Sequence, residues 1–354
     1  GSTVTIPEHP AAQAALGLVA ALYGGVVRVR NRYYDRPRAA ARAALPVISV
    51  GNLTVGGTGK TPVVAWIARL LAGEGLRPAV VSRGYRGRAG RGPLLVSEGR
   101  GPLCEAARCG DEAYMLARAL PETRVVVGSD RVAGAEAARR AGAQVVILDD
   151  GYQHRRLARD LDIVLLDAGN PFGTGRLLPA GILREPLSGL RRASVVLVTR
   201  SRPGERFPSI ERTLRRFNQT APLIPAGHRR VGFVDRLGEP VVPPPRAVAF
   251  CGIGTPGPFR ADLLEAGVEL VDFRIHPDHH PYSDAEIREM REVAERERAA
   301  LVTTEKDLVR LAAGAEWSGP PYLSALRIEA EIHQPGPLID AIRGVTGLGQ
   351  GAGP

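Results

Sequence analysis

The segment GNLTVGGTGKTP at residues 51–62 constrains the fold more than any other part of the chain. It follows a short apolar run, PVISV, that reads as a strand, and it leads into PVVAWIARLLAGEG, whose apolar spacing reads as a helix. A strand, a glycine loop and a helix in that order bring backbone N–H groups together on phosphate oxygens at a helix N-terminus. Gly56, Gly57 and Gly59 remove the Cβ atoms that would obstruct this approach. Residues Thr54, Val55, Gly56, Gly57, Thr58, Gly59, Lys60 and Thr61 are therefore predicted to hold a nucleotide. Lys60 is expected to neutralise β/γ charge during catalysis, and Thr61 to bind Mg²⁺. The strict pattern asks for glycine at position 54, so Thr54 makes this a variant loop.

Downstream, Val/Ile/Leu runs (RPAVVS, RVVVGS, AQVVILDD, LDIVLLDAG, ASVVLVTRS) alternate with helix-like segments. That alternation predicts an α/β fold, a mainly parallel sheet of the P-loop NTPase kind with helices on both faces. A chain of 354 residues exceeds what one compact core usually holds. Prolines at 222, 225 and 243–245 suggest a linker, after which strand–helix alternation resumes from Arg246. The expected divisions are an N-terminal helix and basic segment at 1–45, a kinase-like core at 46–225, and a linker at 226–245. A smaller C-terminal α/β domain at 246–335 and a helix with a disordered tail at 336–354 complete the chain. Gly1 and Ser2 read as an expression scar and are set aside. The apolar stretch at residues 11–27 is short for a bilayer span and is followed by Arg28, Arg30, Arg32 and Arg36. It reads as an interfacial anchor or as a helix packed on the core, and the residues leave both open.

The formal charge of +10 favours an anionic partner. Aromatic residues are few and do not interleave with basic ones, which argues against a stacking platform for nucleic acid. Of 47 Lys and Arg residues only Lys60 and Lys306 are Lys, so these two are suspected of roles that a generic cation would not fill. Cys104, Cys109 and Cys251 are odd in number and show no paired spacing, which argues against a disulfide framework or zinc knuckle and fits a reducing compartment.

A nucleotide–Mg²⁺ site needs an acidic residue at the end of a neighbouring strand, and AQVVILDDGYQH supplies Asp149 and Asp150. In RCGDEAY, Asp111 and Glu112 follow a glycine at a predicted helix start, either as capping acids or with Asp111 as proton acceptor for a substrate hydroxyl. The loop HPDHHPY at 276–282 reads as a surface loop, as a histidine working with a carboxylate, or less readily as a metal site.

Taken together, GNLTVGGTGKTP, SRGYRG, GDEA, DDGYQH, GRLLPAGILREP, PDHHPY and TTEKD resemble, in order, the tetraacyldisaccharide 4′-kinase family of lipid A biosynthesis. The resemblance spans about residues 33–327. It implies transfer of the ATP γ-phosphoryl group to the 4′-hydroxyl of tetraacyldisaccharide 1-phosphate, with ATP and Mg²⁺ bound. It further implies that Asp111 is the catalytic base and His279 its partner, although the adjacent His280 leaves that assignment open by one residue. Thr61, Asp149, Asp150 and Glu185 are implied metal positions, and Glu112, Gln153, His154 and Arg184 are implied active-site residues. The implied partners are an anionic glycolipid and, through the N-terminal helix, the cytoplasmic face of a bacterial inner membrane. The chain is expected to act as a monomer and not on nucleic acid. Two rivals remain: a GTPase-type switch with cargo metal on the histidines, which lacks an [NT]KxD guanine reader, and a nucleic-acid ATPase suggested by charge alone.

Overall fold

The computed structural model describes residues 10–84, 92–311 and 319–348, with backbone alone for 10–12. Gly1 and Ser2, the SRGYRG motif beyond Gly84 and the expected tail beyond Leu348 lie outside the described residues. Helix α1 (Pro10–Tyr34) precedes β1 (Val47–Asn52), which leads through the glycine loop into α2 (Lys60–Gly73). The next strands are β2 (Pro78–Ser82), β3 (Leu94–Glu98), β4 (Arg124–Val127), β5 (Val145–Asp149), β6 (Leu161–Asp167) and β7 (Val195–Thr199). Helices α3 (Ala106–Cys109), α4 (Asp111–Ala119) and α5 (Arg131–Arg140) lie among them, and α6 (Pro208–Arg215) follows β7. The second half comprises β8 (Leu223–Val234), β9 (Pro240–Val241), β10 (Arg246–Cys251), α7 (Pro256–Glu265), β11 (Glu269–Ile275) and α8 (Asp284–Arg296). It ends with β12 (Ala300–Thr304), α9 (Glu305–Leu311), β13 (Leu323–Ile332) and α10 (Gly336–Thr346).

These strands form one sheet in the order β11-β10-β12-β13-β8-β7-β6-β1-β5-β2-β4-β3, with β9 beside β8. Strand β1 sits between β5 and β6, parallel to both, and every one of its residues is buried. Its side chains alternate between faces, as the two-residue period of a strand requires. Ile48 and Val50 join the core under α2, α4 and α10, while Val47 joins the core under α5. In the second half, Val248 and Phe250 pack under α8 and α9, and Ala247 and Ala249 under α7. The expected mainly parallel α/β sheet, covered on both faces, is what the chain forms.

Residues 226–245, expected as a linker, instead carry most of β8 and all of β9. Prolines argue against the interior of a sheet because they lack a ladder N–H. Pro225 sits where β8 changes partner, from parallel pairing with β7 to antiparallel pairing with β13. Its carbonyl accepts from His333 N at 2.9 Å, so the proline marks a switch of partners and not a break. Helix α10 also departs from its expected separation: Leu338 and Ile342 return to the first core, beside Ile224 and Ala330.

Of the two open readings of the N-terminal segment, the helix packed on the core describes one face of α1. That face packs on the core through buried Ala20, Val27 and Asn31, and Tyr23 Oη donates to Arg184 O at 2.7 Å. The other face exposes Leu18, Leu22, Val26 and Val29 at helical spacing. Among the described residues no helix is long and apolar enough to cross a membrane.

Candidate active site

The loop between β1 and α2 is held open by left-handed backbone at two positions. Gly56 has φ 111° and Gly59, the N-cap of α2, has φ 77°, a region where a Cβ is strained. The first free N–H groups of α2 are thereby aimed out of the loop, along with the positive end of the helix dipole. The segment before Arg184 braces the loop: Val55 N donates to Ile182 O at 2.8 Å, and Arg184 N to Leu53 O at 2.7 Å. Thr54 pairs with Leu183 and is buried, so the variant position of the loop serves this brace. Lys60 Nζ donates to Asn52 Oδ1 at 3.1 Å and lies 3.5 Å from Asp150 Oδ1.

Asp149 ends β5, the parallel neighbour of β1, and is buried. Burial, with the Glu112 carboxylate adding to it, pushes its pKa up to about 7 against the pull of Lys60. Asp150 is also buried enough to be pushed upward, yet Lys60 and Arg184 outweigh that and hold it below the usual carboxylate range. Arg184 Nη1 reaches its two oxygens at 2.9 and 2.7 Å. Gln153 Nε2 donates to Asn52 O and to Glu185 Oε1, both at 2.9 Å. Burial, helped by the Arg131 cation, pushes His154 down to about 4, so its ring is neutral at physiological pH.

Glu185 corrects the sequence expectation of a metal ligand. It has no exposed surface, and Arg192 Nη2 donates to its oxygens at 3.0 and 2.9 Å. Gln153 and Asn31 occupy further acceptor positions. The carboxylate is neutralised inside the protein and ties α1 to the loop that carries Arg184.

The second half of the sheet brings its own residues to the same place. Glu112, on α4, lies 3.3 Å from Lys306 Nζ on α9. Lys306 Nζ is also 3.2 Å from His279 Nε2 and 3.5 Å from Asp278 Oδ1. Burial first, and then the Lys306 cation, hold the His279 pKa below its ordinary value. Asp111 and His279 are brought together, but through a third side chain: Arg310 Nε donates to Asp111 Oδ2 at 2.8 Å, and Arg310 Nη2 lies 3.0 Å from His279 Nδ1. Glu112 thus links α4 to α9 through Lys306, and its charge also bears on Asp149.

The two adjacent histidines have different surroundings. His279 has φ 62°, and this turn of the backbone sends it toward α9 while His280 Nε2 meets Glu286 Oε1 at 2.8 Å. His276, His280 and Glu286 are close enough to share a metal ion. However, Glu286 Oε2 is taken by Ser283 N and Oγ in the capping box of α8, and the two imidazoles stack with centroids 4.6 Å apart. Glu286 and His280 are thus hydrogen-bonded within the protein, while His276 Nε2 is buried without a hydrogen-bond partner among the described residues.

Sequence reasoning missed Arg310, Asn52, Arg192 and Arg200. Arg200 donates to Gly57 O of the glycine loop and to Thr255 Oγ1 ahead of α7, at 3.0 Å for the latter. Where nearly every cation is arginine, nothing marks these from the rest. Asn52 could have been flagged, since it lies on the last turn of chain before the loop.

A central strand feeding a glycine loop, a lysine at the helix start and a buried acid on the adjacent strand define a nucleotide-binding P-loop protein. The sequence profile described as Tetraacyldisaccharide-1-P 4'-kinase matches residues 12–346, and the chain belongs to that family of ATP-dependent kinases. A tetraacyldisaccharide 4'-kinase of Anaeromyxobacter sp. (strain Fw109-5) is 42% identical over 340 residues, covering 92% of this chain and 89% of the relative. That of Pelobacter propionicus is 44% identical over 333 residues, covering 91% and 89%. The crystal structure of LpxK from Aquifex aeolicus in complex with ATP superposes with a TM-score of 0.77 at 33% identity, covering 94% of this chain and 99% of that one.

Proposed function

We propose that this chain transfers the γ-phosphoryl group of ATP to the 4′-hydroxyl of a tetraacyldisaccharide 1-phosphate, at the cytoplasmic face of a bacterial inner membrane. The observation that carries the residue assignment is the position of Glu112, which joins the phosphate loop side of the site to the Asp111–Arg310–His279 group. Lys60 and the free N–H groups at the start of α2 bind the phosphates, and Asn52 and Asp150, the latter paired with Arg184, hold Lys60 in place. The attacking hydroxyl oxygen bonds to the γ-phosphorus as the bond to the ADP oxygen breaks, and its proton passes to Asp111.

Mg²⁺ fits the oxygens present. Asp149 is a buried carboxylate crowded by Glu112 and Asp150, a charge imbalance that a cation would relieve. The hydroxyl of Thr58, within the loop, is buried without a partner among the described residues. Thr61 and Asp149, with Asp150 nearby, are the oxygens to hold the ion, which when bound supplies charge compensation on the phosphate oxygens.

The lipid enters from the side of α1. A cavity of about 660 Å³ lies between α1 and the segment before Arg184, lined by Gly17, Ala21, Arg28, Arg176 and Leu177 among others. That volume is in the range of pockets that take small molecules. The exposed stripe of α1 and the arginines at its end suit an anionic leaflet. We further propose that the chain works as a monomer.

The test is transfer of labelled γ-phosphate from ATP to tetraacyldisaccharide 1-phosphate in detergent micelles, comparing wild type with Lys60→Ala. The expected result is labelled bis-phosphorylated lipid from the wild type and at least a 100-fold loss, on the order of one removed transition-state contact, in the variant. Nucleotide binding without any transfer by the wild type would overturn the assignment of this acceptor.

A further inference from the structure

If Asp111 and His279 act at the transferring hydroxyl, something must orient them, and Arg310 touches both. It is nearly buried, at 8% side-chain exposure, and each of its nitrogens is engaged. Nε donates to Asp111 Oδ2 at 2.8 Å, Nη1 to Asp307 Oδ1 at 2.8 Å and to Gly252 O at 3.3 Å, and Nη2 faces His279 Nδ1 at 3.0 Å. Asp307 is itself immobile. It has no exposed surface, and its other oxygen accepts from Gly252 N at 3.0 Å and Thr304 Oγ1 at 2.7 Å.

A guanidinium has donors only, and so does an ammonium, whereas a neutral imidazole offers one acceptor nitrogen. His279 has Arg310 Nη2 at Nδ1 and Lys306 Nζ at Nε2, so only one of these contacts is a hydrogen bond to the ring. The available partners decide which. Lys306 has Glu112 Oε1 at 3.3 Å and Asp278 Oδ1 at 3.5 Å for its donors. Arg310 is pinned by Asp111 and Asp307 and cannot turn Nη2 away. Nδ1 therefore accepts, and the ring proton sits on Nε2, which has Asp278 Oδ1 3.9 Å away.

We propose that Arg310 is the positioning residue of this kinase, fixing His279 as the Nε2–H tautomer and holding one oxygen of Asp111 so that the other is the proton acceptor. This rests on the reading of Asp111 and His279 given above. In it the hydroxyl proton goes to Asp111 Oδ1, the new bond forms to phosphorus, and ADP leaves. His279 takes up no proton.

The charged groups around His279 are Arg310 and Lys306 on α9, Asp278 on its own loop, and Asp111 and Glu112 on α4. Long-range ¹H–¹⁵N spectra of the imidazoles in the full chain, with the His279 signals assigned by their loss in His279→Gln, read the tautomer directly and need no change at Arg310. Protonated Nε2 with a bare Nδ1 is the expected pattern; a protonated Nδ1 near neutral pH overturns the proposal. Arg310→Lys keeps a cation but cannot serve both partners, so kcat should fall about 100-fold, as for small misplacements of reacting groups, with KM for ATP changed less than about twofold. In Arg310→Ala, added guanidinium should restore part of the lost turnover, whereas it should do nothing for Asp111→Asn. Wild-type kcat in Arg310→Lys and Arg310→Ala, alongside inactive Asp111→Asn and His279→Gln, would defeat the role of Arg310 and leave the pair standing. Full activity in Asp111→Asn and His279→Gln would instead remove the reading on which it rests.

Discussion

Glu185 lies in a motif that invites a metal role, yet its carboxylate is sealed from solvent and bound by Arg192, Gln153 and Asn31. Truncating one partner of a buried ion pair leaves the other charge uncompensated, at a cost of about 3–5 kcal/mol. Glu185→Ala should therefore lower the midpoint of chemical denaturation by an amount of that order. At a temperature where the variant stays folded, the Mg²⁺ concentration for half-maximal activity should stay where it is in the wild type. A large shift in that Mg²⁺ dependence without a stability loss would restore Glu185 to the metal set. Positions that follow from backbone and spacing, such as left-handed Gly59 and Lys60 at the start of α2, were legible in the sequence. Arg310 was not, because an arginine among so many carries its meaning only through partners nearly 200 positions away, as with Asp111. Lys306 was noticed because lysine is scarce here, but its three partners could be seen only once α4, α9 and the histidine loop came together.

Among the elements, strands were readable because both faces of a parallel sheet are covered, which leaves continuous apolar runs such as VVILD and VVLVT. The exception is β8, eight of whose twelve residues are exposed or partly exposed and whose neighbouring prolines mimic a linker. Helix α1 was ambiguous for a different reason: it has two apolar faces, and a sequence does not tell which one meets protein. The structure commits Ala20 and Val27 to the core and leaves Leu18, Leu22, Val26 and Val29 outside. Burying a leucine is worth about 1.5–3 kcal/mol, which is tenfold or more in a partition constant. Leu22→Asp should accordingly reduce binding to vesicles containing anionic lipid by about tenfold or more. Its ATP affinity should not change, because the residue faces away from the loop side of α1. Equal vesicle binding by this variant would mean that the stripe is covered by something other than a membrane.

For the molecule as a whole, the expectation of separable units at 46–225 and 246–335 meets a single sheet that runs through both. Strand β8 belongs to each half, pairing with β7 at one end and β13 along the rest. Helix α10, last in the described chain, packs Leu338 and Ile342 into the core beneath α2, and Arg343 pairs with Glu74 at the far end of that helix. The first core is thus completed by residues that come after the second unit, a closure that local sequence patterns do not reveal. This connectivity couples the stabilities of the halves, although chains of this length often unfold in stages. Ile342→Ala removes a fully buried side chain, at a cost of about 2–5 kcal/mol. If the sheet is one cooperative unit, that loss will appear equally in probes placed on either half. With Trp317→Phe as background, fluorescence of Trp66, on α2, and hydrogen exchange of β10 and β12 should then report the same lowered midpoint. An unchanged midpoint for β10 and β12 while Trp66 moves would mean that the second half folds on its own, and that β8 is a hinge between two bodies despite its pairing with both β7 and β13.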